Sequence, residues 1–140
     1  NSVELLNLLT LWKLTGETRY IENASGIESA FASSISSSPQ AFSMMITGIL
    51  YGNIGGTEVL LTGSRDDPVI REMLELLRTG YRPWTTVSLY DPDGTALAPP
   101  WIQEISPSDG EAAAYVCQGG TCSFPVSCSL DLLELLDGEL

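Results

Sequence analysis

One glycine-rich run divides this chain. Gly52-Asn53-Ile54-Gly55-Gly56 breaks regular structure, and the apolar pattern differs on its two sides. Before the run, apolar residues recur at helical spacing. After it, they come in short runs of strand formers with a helical segment between them. The chain is therefore expected to be mixed α and β. A helical segment should occupy 1–56, and a small α/β unit with a C-terminal helix should occupy 57–140.

The helical side reads in three pieces. Residues 2–15 carry Val3, Leu5, Leu6, Leu8, Leu9, Leu11, Trp12 and Leu14, more than one stripe, so this helix should be buried on most sides. Ser2 is the expected N-cap and Gly16 the expected C-cap. A second helix restarts at 17–20 and shows one amphipathic face through Tyr20, Ile21, Ala24, Ile27, Phe31 and Ile35. The short connection predicts an antiparallel hairpin. Ser33–Ser38 should end that helix, with Pro39 as the stop. Residues 40–52 should form a third, buried helix.

On the other side, 58–62 (EVLLT) and 85–90 (TTVSLY) read as strands. Between them, Asp66-Asp67-Pro68 opens a helix that stops at Gly80. Strand, helix, strand predicts a parallel pair with a right-handed crossover. Asp91-Pro92-Asp93-Gly94 is a turn by composition, and 95–110 a loop with a short extended piece at 101–105. Residues 112–117 form a third strand, 118–121 a turn, 122–125 a short extended piece and 130–136 a last helix capped by Ser127 or Ser129.

Composition decides which chemistries are open. The 140 residues contain no His, so a Ser-His-Asp triad, a Cys-His dyad and His metal sites cannot be built from this chain alone. Lys13 is the sole lysine, which argues against a P-loop or Schiff-base site. The net charge of -12 repels a phosphate backbone, so no nucleic-acid partner is expected. No apolar run reaches the ~20 residues that span a bilayer, and no basic-then-apolar signal pattern opens the chain; no membrane association is expected. Asn1 stands where Met would open a complete protein, and a helical pattern begins at once. The chain is thus expected to be a fragment or a processed piece.

The cysteines are the first candidate site. Cys117 and Cys122 flank a turn as C-Q-G-G-T-C, with Cys128 beyond. Three readings stay open for Cys117 and Cys122: a metal knuckle, which lacks a fourth ligand; a redox or structural disulfide, at a spacing unlike CxxC; and small buried residues steadying a turn. Asp66, Asp67, Asp91 and Asp93 could supply a carboxylate pair of the kind sugar hydrolysis uses, or could simply cap and turn the chain. Gly52–Gly56 precedes a strand and is not a phosphate cradle. Trp12, Tyr20, Trp84, Tyr90, Trp101 and Tyr115 could line a sugar pocket or pack a core. No cofactor or metal is implied.

Three blocks carry a family resemblance. They are Asn1-Ser2-Val3 with Asn7-Leu8-Leu9 and Leu14-Thr15-Gly16; Glu58–Gly63 with Asp66-Asp67-Pro68; and Ala114-Tyr115-Val116-Cys117, then Cys122 and Pro125-Val126. Together they resemble the C-terminal part of the spermatogenesis-associated, thioredoxin-domain family. Its members join a thioredoxin-like domain to an (α/α)6 toroid similar to that of N-acylglucosamine 2-epimerase. Gly119-Gly120 and the extra Cys128 depart from the family's last block.

The resemblance implies that 1–56 are the terminal helices of the toroid and that the partner is the upstream part of the same protein. It implies a cytoplasmic or organellar protein related to carbohydrate or thiol-redox chemistry. Asn1, Ser2 and Trp12 would then border a pocket for a small polar or sugar-like ligand. The piece itself would close the toroid and not catalyse alone. Two alternatives stand beside it: a redox-active thiol module using Cys117 and Cys122, and an acidic structural or interaction module.

Overall fold

The computed structural model describes residues 1–91 and 111–138. The chain is mixed α and β, and divides into two compact units, Asn1–Gly56 and Thr57–Leu140. The expected turn at 92–94, the extended piece at 101–105, Asp93 and Trp101 lie outside the described residues. Among the described residues no helix is long and apolar enough to cross a membrane.

The first unit contains α1 (Ser2–Thr15), α2 (Thr18–Ser37), a 3-10 turn (Pro39–Phe42) and α3 (Ser43–Ile54). Two-residue spacing between α1 and α2 leaves room only for the αL glycine Gly16, whose N–H donates to Trp12 O at 2.7 Å. Two sequence expectations need correction, and a third holds only at the far end of its range. Asn1, not Ser2, is the N-cap of α1. The serine run ends α2 at Ser37, in its last turn. Ser36 and Ser37 donate back to the carbonyls of Ala32 and Ser33 at 2.9 Å each, so the helix absorbs them and stops only before Pro39. Gly52 does not break α3 but lies inside it, and the break comes at Gly55.

Burial is also narrower than the apolar content suggests. Leu5, Leu8 and Leu9 of α1 and Met45, Gly48 and Tyr51 of α3 are buried, while Val3, Leu11, Met44, Leu50 and Ile54 are exposed. Each of these two helices therefore packs by one stripe and leaves other large apolar side chains in the open.

Gly48 and Gly52 let α1 and α3 approach closely. A Cβ at Gly48 would stand 3.1 Å from Leu5 Cδ2, and one at Gly52 3.3 Å from Leu9 Cδ1. Gly48→Leu should lower stability by about 1–3 kcal/mol through overpacking. Gly48→Ala should be near neutral, because about 1 kcal/mol of helix propensity offsets a contact that a flexible leucine can relieve. Urea unfolding of both variants checks the pair. Equal effects would show that the helices do not meet at Gly48.

Among the described residues the second unit forms a four-stranded sheet in the order β2-β1-β3-β4, with β1 (Thr57–Thr62), β2 (Thr85–Tyr90), β3 (Ala113–Gln118) and β4 (Thr121–Cys122). Helix α4 (Pro68–Thr79) joins β1 to β2, which pair in parallel as the strand–helix–strand pattern predicts. Asp67 caps α4 by accepting from Val69 N–H at 2.7 Å, and Pro68 fills the first helical position. β3 lies antiparallel on the other side of β1.

Alternation sorts β1 and β3 onto two faces. Val59, Leu61, Ala114 and Val116 meet Ile70, Met73 and Leu77 of α4 and Leu132 of α5 (Ser129–Asp137). Leu60, Ala113, Tyr115 and Cys117 form a second buried cluster, with Tyr90 and Cys122 packed against it. The cap of α5 is Cys128, not Ser127 or Ser129: its Sγ accepts from Asp131 N–H at 3.4 Å. The Ser129 hydroxyl instead donates to Glu72 Oε1 at 2.6 Å and ties α5 to α4. Arg82 reaches Asp137 at 2.7 Å and holds the far end of α5.

Candidate functional site

The site begins with a turn. Gly119 and Gly120 have φ of +57° and +83°. A two-residue hairpin loop whose strands keep their natural twist needs positive φ at both central positions, which glycine adopts without a steric penalty. The two glycines that depart from the family pattern are thus what this short loop requires. The loop sets Gln118 opposite Thr121 and Cys117 opposite Cys122. Next to such a turn, the second pair is the one not joined by backbone hydrogen bonds, and there side chains come closest. The Cα atoms stand 3.9 Å apart and the sulfurs form a disulfide. With the two sulfurs joined, the pair offers no thiolates to a metal.

The environment of the two sulfurs differs. Cys117 is buried, 5% exposed, among Leu60, Ala113 and Tyr115. Cys122 lies on the edge strand and is half-buried. Burial pushes the Tyr115 hydroxyl above its ordinary pKa, so it brings no charge to this cluster. Backbone bonds hold the hairpin independently of the sulfurs. Ser123 N–H donates to Val116 O at 2.8 Å, and Val116 N–H donates to Ser123 Oγ at 3.1 Å. Gln118 Nε2 donates to Thr57 Oγ1 at 2.9 Å, fastening the turn to β1.

Beyond the hairpin, Ala114 and Val126 exchange two backbone bonds of 2.8 and 2.9 Å. From Val116 to Ala114 is one residue step shorter than from Ser123 to Val126, so an extra residue bulges out at Phe124-Pro125. Phe124 is 93% exposed as a result. Val126 faces a position three residues from Cys117 along β3, and the chain then runs on to Cys128. The Cys128 thiol is free and exposed.

The other candidates fall elsewhere. Asn1 and Ser2 open α1, and Trp12 lies near its end, about 15 Å further along at 1.5 Å per residue. Asn1, Ser2 and Trp12 all lie on or beside the helix face of Leu5, Leu8 and Leu9. Asp66, Asp67 and Asp91 gather at the end of β1 and β2, and each meets backbone or a cation. Asp67 caps α4, Asp91 Oδ2 accepts from Arg65 N–H at 3.2 Å, and Asp66 lies 3.9 Å from Arg71. Trp12 and Tyr20 belong to the helical unit, while Trp84, Tyr90 and Tyr115 belong to the sheet unit. The Arg19 guanidinium covers the Tyr20 ring at 4.7 Å. Among the described residues, no group of three or more His, Cys, Asp and Glu could hold a metal ion.

Sequence reasoning missed the helix-capping role of Cys128. The signal was present, since a small polar residue precedes an apolar helical run there, but cysteine is outside the usual set of caps.

No family model and no solved structure matches the chain. It is 24% identical over 139 residues to Spermatogenesis-associated protein 20 of Homo sapiens, an alignment that takes in 97% of this chain and 18% of that protein. The chain thus spans less than a fifth of the length of the curated relative it matches, and the likeness supports a relation to that protein.

Proposed function

We propose that this chain is the closing piece of a larger helical protein of the thioredoxin-domain and (α/α)6-toroid type, docking through its helical unit and shaping one side of a pocket for a small polar or sugar-like ligand. The observation that carries this reading is the set of exposed apolar side chains on α1 and α3: Val3, Leu11, Met44, Leu50 and Ile54. Five large apolar side chains on one small unit are more than scattered surface exposure, and a neighbouring helix would remove them from water. The short share of the relative that this chain spans agrees with it. In this reading Asn1, Ser2 and Trp12 border the pocket, the upstream helices are the partner, the setting is cytoplasmic, and the piece alone catalyses nothing. Their spacing along α1 favours an elongated ligand over a single sugar ring.

The test uses Leu50→Ser with Ile54→Ser. In this chain the double variant should keep its unfolding midpoint within a few degrees, as surface changes do, and should self-associate less on sedimentation. In a longer protein that carries the upstream sequence, the same double variant should lose several kcal/mol. Strong destabilisation of the 140-residue chain would make these residues core and end the docking proposal. The pocket is tested separately by thermal shift of the longer protein with monosaccharides, short oligosaccharides and sugar phosphates. No stabilisation by any of them would remove the ligand and leave the docking role standing.

A further inference from the structure

We infer that the Cys117–Cys122 disulfide is a thiol–disulfide exchange site, attacked at Cys122 Sγ by a dithiol reductant. The inference is independent of the docking role, because it rests on the sheet unit alone.

The bond does little as a staple. The cysteines are five positions apart. Closing so short a loop removes little entropy from the unfolded chain. The hairpin is already held by its glycine turn, by the Val116–Ser123 and Ala114–Val126 bonds and by the Gln118–Thr57 side-chain bond. The strand it would secure, β4, is only Thr121–Cys122.

Exchange needs a thiolate to approach one sulfur in line with the S–S bond. Cys117 is 5% exposed and packs with Leu60, Ala113 and Tyr115, which hinders approach to its sulfur. Cys122 is half-buried on the sheet edge, next to the outward bulge that carries Phe124.

The chemistry balances as follows. A thiolate of the reductant bonds to Cys122 Sγ, and the Cys117–Cys122 bond breaks. Cys117 leaves as thiolate and takes a proton. The reductant's second thiol then attacks its own sulfur in the mixed disulfide and releases Cys122 as a thiol. Two electrons and two protons pass to the protein, and the dithiol becomes a disulfide. Cys128, whose Sγ caps α5, takes no part in this step.

The experiment uses the whole chain with Cys128→Ser, which keeps a helix-capping oxygen in place of the sulfur. Dithiothreitol in native buffer should release two alkylatable thiols with the far-ultraviolet circular dichroism unchanged. Glutathione, a monothiol, should leave its adduct on Cys122 over Cys117 by at least tenfold, mapped by fragment-ion mass spectrometry. Single variants give a second readout: the thiol left in Cys117→Ser should react with an aromatic disulfide reagent at least tenfold faster than the thiol left in Cys122→Ser. Release of thiols only after denaturation, loss of the fold on reduction, or adducts shared between the two sulfurs would each overturn the inference. If the single variants do not fold, the adduct map on the unsubstituted pair decides.

Discussion

Gly63→Ala is expected to cost about 3 kcal/mol, and to do so for two separable reasons. Gly63 follows β1 with φ +130°, a backbone conformation closed to residues with a Cβ at a cost on the order of 1–3 kcal/mol. Its N–H donates to Tyr90 O at 3.0 Å, extending the β1–β2 pairing, so the backbone has no freedom to relax. A Cβ there would also stand 3.1 Å from Ala112 Cα. That neighbour is backbone, which cannot rotate aside as a leucine tip can. Gly119→Ala separates the two causes, because its φ is +57° and no atom lies within 4 Å of its virtual Cβ. It should cost only about 1–2 kcal/mol, the left-handed penalty alone. Equilibrium urea unfolding of both variants measures the difference. Equal losses would mean that the close approach of Ala112 is not a constraint.

The second large effect is expected at Leu61. It has no exposure and lies on the central strand, with Leu89 opposite on one side and Ala114 on the other. Its side chain joins Ile70 and Met73 of α4 and Leu132 of α5 in one cluster. Leu61→Ala should cost about 3–5 kcal/mol, since a small neighbour such as Ala114 cannot fill the space and the helices are pinned elsewhere. Leu89→Ala, on edge strand β2 and half-buried, should cost about half as much. The variant also reports cooperativity. If α5 unfolds with the sheet, Leu61→Ala and Leu132→Ala should combine non-additively, because they line the same cluster. Strict additivity would place α5 in a separately melting layer.

Much of the sheet unit was legible in the residues. Short β-rich runs, a Pro at the first turn of a helix and an Asp before it are local signals, and their effects are local. Parallel pairing of β1 and β2 followed because a helix between two strands forbids a hairpin. The helical unit was less legible. Its apolar content suggested wide burial, but burial depends on which neighbours are present, and periodicity does not supply neighbours. Within Ser33–Ser38 the end residue was not legible for a related reason: serine favours both helix ends and back-bonded helix interiors, and the local sequence does not choose. Gly52 was read as a breaker when its role is to admit Leu9.

The candidate site followed the same division. Chain order alone placed Cys117 and Cys122 on the arms of a tight turn, and the absence of His excluded whole classes of chemistry. The mixed α and β character, the -12 charge and the glycine turn are likewise properties of the chain as written. Tertiary structure joined Cys117 to Cys122, because the non-hydrogen-bonded register of the hairpin brings the sulfurs together. It also made the two sulfurs unequal, since one strand lies inside the sheet and the other at its edge. Burial and register are relations between distant parts of a chain, and only the folded arrangement states them.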